Sequence, residues 1–207
     1  MTKVKLKVGI AGFGIVGKKR YHFIEENSNF KTVAISDLRF SQNTFEQSAY
    51  QLIKNKKIII YDDFKKLFNK KLDVLFVCLP NYLAPEATIE GLNNNCHVFC
   101  EKPPGKNVKD IIDVIKVEKN HQELKLKYGF NHRYHGSIKE SKNIIDSNTF
   151  GEIIGFRGLY GKSRIVPFSG GWRCARKYSG GGILLDQGIH MLDLLRYFCG
   201  DFEAVNS

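Results

Sequence analysis

Three short stretches of the 207-residue chain carry side chains whose types and spacing suit chemistry. In residues 97–105, HVFCEKPPG, the apolar run Val98 to Cys100 stops at Glu101 and Lys102 and then at Pro103 and Pro104, which have no N–H to give to a sheet ladder. Lys102 is thereby held at a strand's carboxyl end, the edge of an open parallel sheet at which ligands bind; the plain alternative is one more solvated lysine. In residues 12–17, Gly12, Phe13, Gly14, Ile15, Val16 and Gly17 spell GxGxxG directly after an apolar run, and Asp37 follows Gly17 by twenty residues. Such glycines allow a tight turn, a close approach of backbone to a pyrophosphate and close packing of the next helix. An acid at that distance accepts hydrogen bonds from ribose hydroxyls. In residues 183–198, ILLDQGIHMLDLLRYF, Asp186, His190 and Asp193 fall at i, i+4 and i+7 on one helical face. Burying ionisable groups without partners costs several kcal/mol each, so this stripe meets either a ligand or a satisfied structural network.

These residues need elements to hold them. Residues 5–11, KLKVGIA, have the apolar density of a buried parallel strand, and the helix that follows the glycines turns its N–H groups and the positive end of its dipole toward bound phosphate. Residues 31–36 form the next strand and deliver Asp37, whose charge repels a ribose 2′-phosphate and so favours NAD over NADP. Arg39 works in the other direction, pairing with such a phosphate or lying on the adenine. Apolar, β-branched runs at 57–60 and 73–78 continue the alternation, and Leu79, Pro80, Asn81 and Tyr82 close the second. Asn81 reads equally as a turn residue and as an amide reaching the nicotinamide ribose. A helix over 85–94, the strand that ends at Lys102, a helix capped by Asn107 with Val108, Ile111, Ile112 and Ile115 at helical spacing, and a strand over 124–128 complete an α/β, doubly wound parallel Rossmann sheet. Alternation stops there. This divides the chain into a dinucleotide-binding domain, 1–128, and a partial substrate-binding and catalytic domain, 129–207. In the second, Ile138, Ser141 and Ile145 mark a helix ending before Gly151, and a strand over 152–160 follows, in which Ile153, Gly155, Arg157 and Leu159 alternate with Ile154, Phe156, Gly158 and Tyr160. A loop with Trp172 and Arg173 then leads to the helix over 183–198, apolar nearly all round as a buried helix is.

Composition narrows the classes. A net charge of +11 suits anionic ligands, but the lysines lie in scattered pairs, Lys56 with Lys57 and Lys65 with Lys66, without interleaved aromatics. That excludes a stacking surface for nucleic acid. Five cysteines, an odd number with no CxxC, argue against a disulfide framework and a zinc site, so no metal is expected and the compartment reads as reducing. No apolar run approaches the roughly 20 residues that span a bilayer, and no signal peptide precedes the first strand, which points to a soluble cytoplasmic protein without a membrane partner.

Taken together, GFGIVG, SD, LPN, CEKPP, FNHRY, GEI and GGGILLDQGIHMLD resemble the oxidoreductase family named for glucose–fructose oxidoreductase, inositol dehydrogenase and the rhizopine catabolism protein MocA. The resemblance implies an NAD(P) domain followed by the start of an α+β substrate domain with an open sheet, the substrate lying between them over the nicotinamide. It puts the family's catalytic lysine, aspartate and histidine on Lys102, Asp186 and His190. Oxidising a carbinol moves a hydride to the nicotinamide ring while a base removes the hydroxyl proton; His190 suits the base, Asp186 an orienting role, and Lys102 the stabilisation of alkoxide charge. Asp193 is a supporting residue. Cofactor contacts are implied at Gly12, Phe13, Gly14, Ile15, Val16, Asp37, Arg39, Leu79, Pro80, Asn81, Glu101 and Lys102, and substrate contacts at Lys102, Arg133, Trp172, Arg173, Asp186 and His190. Arg173 suits a uronate carboxylate or nucleotide diphosphate as well as it suits a loop salt bridge.

There are two departures from the family pattern. Family members often carry a histidine three residues after the asparagine at position 81, and this chain has Ala84, which touches a cofactor contact and not the chemistry. The family's sheet also needs considerably more chain than is present, because FEAVNS at 202–207 reads as only its next strand. A lone strand over 152–160 would expose unpaired edges and an apolar face, so the chain is either a fragment or is completed by a partner. The expected function is that of an NAD(P)-dependent dehydrogenase of a sugar or nucleotide-sugar hydroxyl carbon, with homo-oligomers through the open sheet. A non-catalytic dinucleotide-binding regulator, an inactive fragment, and a tightly bound NAD used transiently in glycoside chemistry are the alternatives.

Overall fold

The computed structural model describes residues 4–42, 51, 53, 55–161 and 171–206. Strand β1 (Leu6–Ala11) is buried over its last four residues because both of its faces are covered: Val8 and Ile10 enter one apolar cluster and Ala11 the other. Beside it lie β2 (Phe30–Ser36), β3 (Ile59–Tyr61), β4 (Val74–Val77), β5 (His97–Cys100) and β6 (Leu126–Tyr128). All pair in parallel, in the order β3-β2-β1-β4-β5-β6. The order reverses between β1 and β4, where the two crossovers leave to opposite sides and a crevice opens at the carboxyl edge. Register makes that edge level. Ala11 pairs with both Ser36 and Val77, Ser36 with Tyr61, Val77 with Cys100, and Cys100 with Tyr128. Gly12, Asp37, Cys78 and Glu101, each the next residue in its strand, therefore leave from one line.

The helices that cover the sheet are α1 (Ile15–Glu26), α2 (Ala84–Asn93) and α3 (Val108–Glu118). Tyr21 and Ile24 of α1 pack with Val8, Ile10, Phe13 and Ile35 on one face, and Ala87 and Leu92 of α2 with Leu75, Val77 and Val98 on the other. A fully buried side chain such as Ile10 or Leu75 contributes about 1.5–3 kcal/mol, so the sheet is held from both sides. The expected cap on α3 is present: the Asn107 side chain accepts from the Asp110 N–H at 3.0 Å. Its expected inner stripe is different. Val108, Ile112 and Ile115 are exposed, and Val114 and Val117 pack inward instead. α3 is apolar on two stripes, and the crossover from β5 to β6 chooses the one that meets the sheet.

The chain divides into two compact units, Met1–Gly129 and Phe130–Ser207. The second holds a single turn at Asn131–Tyr134, then α4 (Gly136–Asp146), a turn at Trp172–Cys174, α5 (Arg176–Ser179), a π-helical turn at Leu184–Gly188 and α6 (Ile189–Cys199). The strand expected over 152–160 has no ladder among the described residues, and neither have residues 202–206. Its alternation has another use: Phe156 stacks on Phe198 of α6 at 6.0 Å, Gly158 leaves the space that Met191 fills, and Tyr160 reaches His190 at 6.1 Å. A period of two says that alternate side chains share a face, and a helix can cover that face as well as a second sheet can. The final helix also departs from expectation. Ile183, Leu184 and Leu192 are exposed, and His190, Leu194 and Phe198 form the buried stripe. The wider π turn changes the helical phase between Asp186 and His190, so a spacing of four there is no longer one simple turn. No helix of the described residues is long and apolar enough to cross a membrane.

Candidate functional site

The carboxyl edge of the sheet carries one group of candidate residues. Gly12 has φ 89°, and a Cβ there would meet the Cys78 carbonyl oxygen at 2.5 Å, so only glycine fits this turn. A Cβ on Gly17 would run into the Gly12 carbonyl, which is how α1 comes close enough to bury Tyr21 and Ile24. Gly14 is different: nothing lies within 4 Å of where its Cβ would be. Bare backbone therefore faces open space at the start of a 12-residue helix, with Ile15 and Val16 exposed beside it. The outward N–H groups of a helix's first turn suit an anion there.

Asp37 closes this loop. One carboxylate oxygen accepts from the Phe13 N–H at 2.8 Å, the other from the Arg39 N–H at 3.1 Å, and the Arg39 guanidinium adds bonds of 2.8 and 2.7 Å. The same guanidinium donates to the Phe13 carbonyl at 3.0 Å. Burial opposes charge on Asp37, but the Arg39 side chain and the two N–H groups outweigh it, so the carboxyl sits below its ordinary value and is an anion at neutral pH. Asp37 thus ties β2 to the glycine loop before it meets any ligand.

Further along the edge, Leu79 and Pro80 are half-buried, and Asn81 is buried at 5 % exposure where the Pro80 carbonyl accepts the Leu83 N–H and starts the turn into α2. Glu101 accepts from Arg20 Nε of α1 at 2.5 Å, while Arg20 lies over the Phe99 ring at 4.8 Å and Gly129 leaves room for the carboxylate. The Glu101 side chain is therefore a strut between α1 and β5, a role not foreseen from the sequence, and Lys102 leaves the strand from a fixed point. Burial pushes the Cys100 thiol at this edge up to about 12 and Cys96, at the amino end of the same strand, to about 11, so both stay protonated and offer no nucleophile.

The second unit carries a separate group of candidate residues. His190 of α6 is buried at 5 % exposure and lies flat against His132, with ring centroids 4.0 Å apart and 18° between planes. Phe130 meets the His190 ring edge-on at 6.3 Å. Asp193 grips Arg133 through two hydrogen bonds of 2.8 and 2.5 Å, and the Arg133 guanidinium also lies over Tyr197. The bond to Asp193 raises the Arg133 pKa despite partial burial. Arg133, expected at the substrate, pairs with Asp193 within the unit, a fork of donors meeting a nearby carboxylate. Asp186 accepts from Gln187 at 2.9 Å, and Arg173 lies 4.3 Å over the Trp172 ring. The sequence reading passed over Arg20, His132 and Tyr160. FNHRY held the signal for His132, but nothing in a linear chain says which ring meets which.

A doubly wound parallel sheet with a glycine turn at its switch point and an acid closing that turn defines a dinucleotide-binding fold. Residues 6–130 match the model described as "Oxidoreductase family, NAD-binding Rossmann fold", and residues 138–207 match the GFO/IDH/MocA C-terminal domain. The chain belongs to this Gfo/Idh/MocA family, and its first unit is the family's NAD-binding domain. It is 32 % identical to D-glucoside 3-dehydrogenase of Escherichia coli K12 over 100 % of this chain and 57 % of the relative. It is 26 % identical to inositol 2-dehydrogenase of Salmonella typhimurium over 97 % of this chain and 56 % of the relative. Among solved structures, myo-inositol 2-dehydrogenase from Lactobacillus plantarum superposes with a TM-score of 0.77 at 28 % identity, covering 95 % of this chain and 57 % of that one. The chain spans a little over half the length of these relatives.

Proposed function

We propose that the protein is an NAD-dependent dehydrogenase of a hydroxyl-bearing carbon in a sugar or nucleotide sugar, with Lys102, Asp186 and His190 carrying the reaction. The observation that supports it most is the buried imidazole of His190, in a chain whose first unit is an NAD-binding domain. A regulator that only senses dinucleotide has no use for such a group. The first unit's edge fits the cofactor: bare Gly14 backbone suits the pyrophosphate, Asp37 the adenosine ribose, and Leu79, Pro80 and Asn81 the nicotinamide half.

When bound, NAD supplies an acceptor for the hydride that leaves the carbinol carbon. His190 takes the hydroxyl proton, a task for which an imidazole is suited near neutral pH. Lys102 binds the same oxygen and stabilises the negative charge that grows on it as the C–H bond breaks. Asp186 orients the substrate through a neighbouring hydroxyl, and Trp172 with Arg173 forms a flat cationic surface for the rest of the sugar. Arg39 bears on cofactor choice. Its guanidinium already serves Asp37 and the Phe13 carbonyl, so a ribose 2′-phosphate would have to detach it from an ionised carboxylate, and NAD is preferred over NADP.

Calorimetry with NAD and NADP, on the wild-type chain and on Asp37→Ala, tests the first half, and NADH formation with a panel of sugars, with His190→Ala as control, tests the second. Micromolar NAD binding weakened at least tenfold by Asp37→Ala is the expected result. Failure of both dinucleotides to bind would sink the reading for this chain.

A further inference from the structure

The closest ring contact in the second unit is between two histidines, and one of them is the base of the reading above. His132, on the turn before α4, is half-buried and lies parallel to buried His190 at a centroid distance of 4.0 Å. His135 meets the His132 ring at 5.3 Å, and Tyr160 approaches both stacked rings, at 5.5 Å from His132 and 6.1 Å from His190. The Phe130 ring meets His190 edge-on. On His190's own helical stretch the charged groups are Asp186, which accepts from Gln187, Asp193, whose two oxygens are taken by Arg133, and Arg196, whose guanidinium donates to Asp201.

We propose that His132 is a positioning residue that keeps His190 neutral and face-fixed, so that the base is ready to accept a proton at and below neutral pH. The inference rests on the dehydrogenase reading for its consequence, and on geometry alone for its cause. Two imidazolium ions cannot lie face to face at 4.0 Å without strong repulsion, so the stacked pair takes one proton readily and a second only with difficulty. The half-buried ring retains more solvation of a charge than the buried one, so the first proton goes to His132 and His190 keeps the neutral form that a base needs. Stacking also stops the His190 ring from flipping between orientations, which a base must hold to meet one hydroxyl.

The test follows the histidine ring protons of the whole chain by NMR as pH is varied, in wild type, His132→Phe and His132→Gln, with His190→Gln to assign the signal. Phenylalanine keeps the stacked ring and removes its proton; glutamine keeps polarity and removes the ring, which guards against one variant failing to fold. In both variants the His190 midpoint should move upward, by about one pH unit. The acid limb of kcat/KM should move the same way, because the base is then lost at a higher pH. A His190 titration in His132→Phe that superimposes on wild type would overturn the proposal, since mere packing predicts no movement. A chain that shows the NMR shift and oxidises no sugar supports the histidine pair and overturns the dehydrogenase reading, so the two failures are distinguishable.

Discussion

The two units hold their functional residues by different means. In the first, six parallel strands set Gly12, Asp37, Cys78 and Glu101 on one line through backbone register, and side-chain ties such as Arg20 to Glu101 and Arg39 to Asp37 only trim the result. In the second, among the described residues, no ladder contributes, and residues 151–160 are exposed along their length. There the His190 ring is held by a stack of rings, and α6 is fastened to the turn at 131–134 by the Arg133–Asp193 fork. A ladder spreads the task of positioning over many backbone bonds, so a single substitution rarely moves an edge. A ring stack and an ion pair concentrate the task in a few side chains. The first unit should therefore tolerate surface change and fail at its glycines, and the second should be sensitive at a handful of rings and charges.

Substitutions can separate the two modes. His190→Ala removes the proposed base and should lower kcat/KM for sugar oxidation by about 10²–10⁴-fold, followed as NADH absorbance, while NAD affinity by calorimetry stays near wild type. Gly17→Ala forces a Cβ into the Gly12 carbonyl and should cost about 1–3 kcal/mol, read as a lower melting temperature and weakened NAD binding. Peptide-resolved hydrogen exchange should place the damage in 6–37 and spare 130–199; equal loss in both units would break the comparison. Asp193→Asn leaves Arg133 without its ionic partner. It should cost about 1–2 kcal/mol and release protection in 131–146 and 189–199, with the strands unaffected.

The pH dependence of the first unit is a gentler probe. Because the Asp37 carboxyl is held below its ordinary value in the fold, its contribution is complete above 3.8 and disappears as pH falls through the lower, folded-state value. Asp37→Asn should remove that part of the acid sensitivity in thermal melts between about pH 2 and 5. Substituting exposed Leu159 by serine should change stability by no more than about 0.5 kcal/mol. A larger loss would mean that the 151–160 segment is held more firmly than its exposure implies.

Much of the arrangement at the sheet edge was legible in the chain because its signals are local. GxGxxG after an apolar run, an acid at the end of the next strand and a lysine stopped by two prolines each need only neighbours in sequence, and alternation of strand and helix then brings them to one edge. The arrangement in the second unit was legible only as candidate residues. Asp186, His190 and Asp193 stand out by type, but their helical phase depended on a π turn that no spacing rule announces. Arg133 read as a ligand to substrate, and it pairs with Asp193 across sixty residues of sequence.

By itself, then, the amino-acid sequence determined the doubly wound sheet, the glycine turn, Asp37 at its strand end and the identity of the ionisable groups on the last helix, because backbone sterics and hydrophobic period act over a few residues. Only the tertiary structure decided that Glu101 answers Arg20, that the alternating segment at 152–160 lies on α6 without a ladder, and that His132 stacks on His190. Those outcomes depend on which distant side chains the packed elements bring within a few ångströms, where desolvation and pairing set the energy, and no property of either partner alone contains that information.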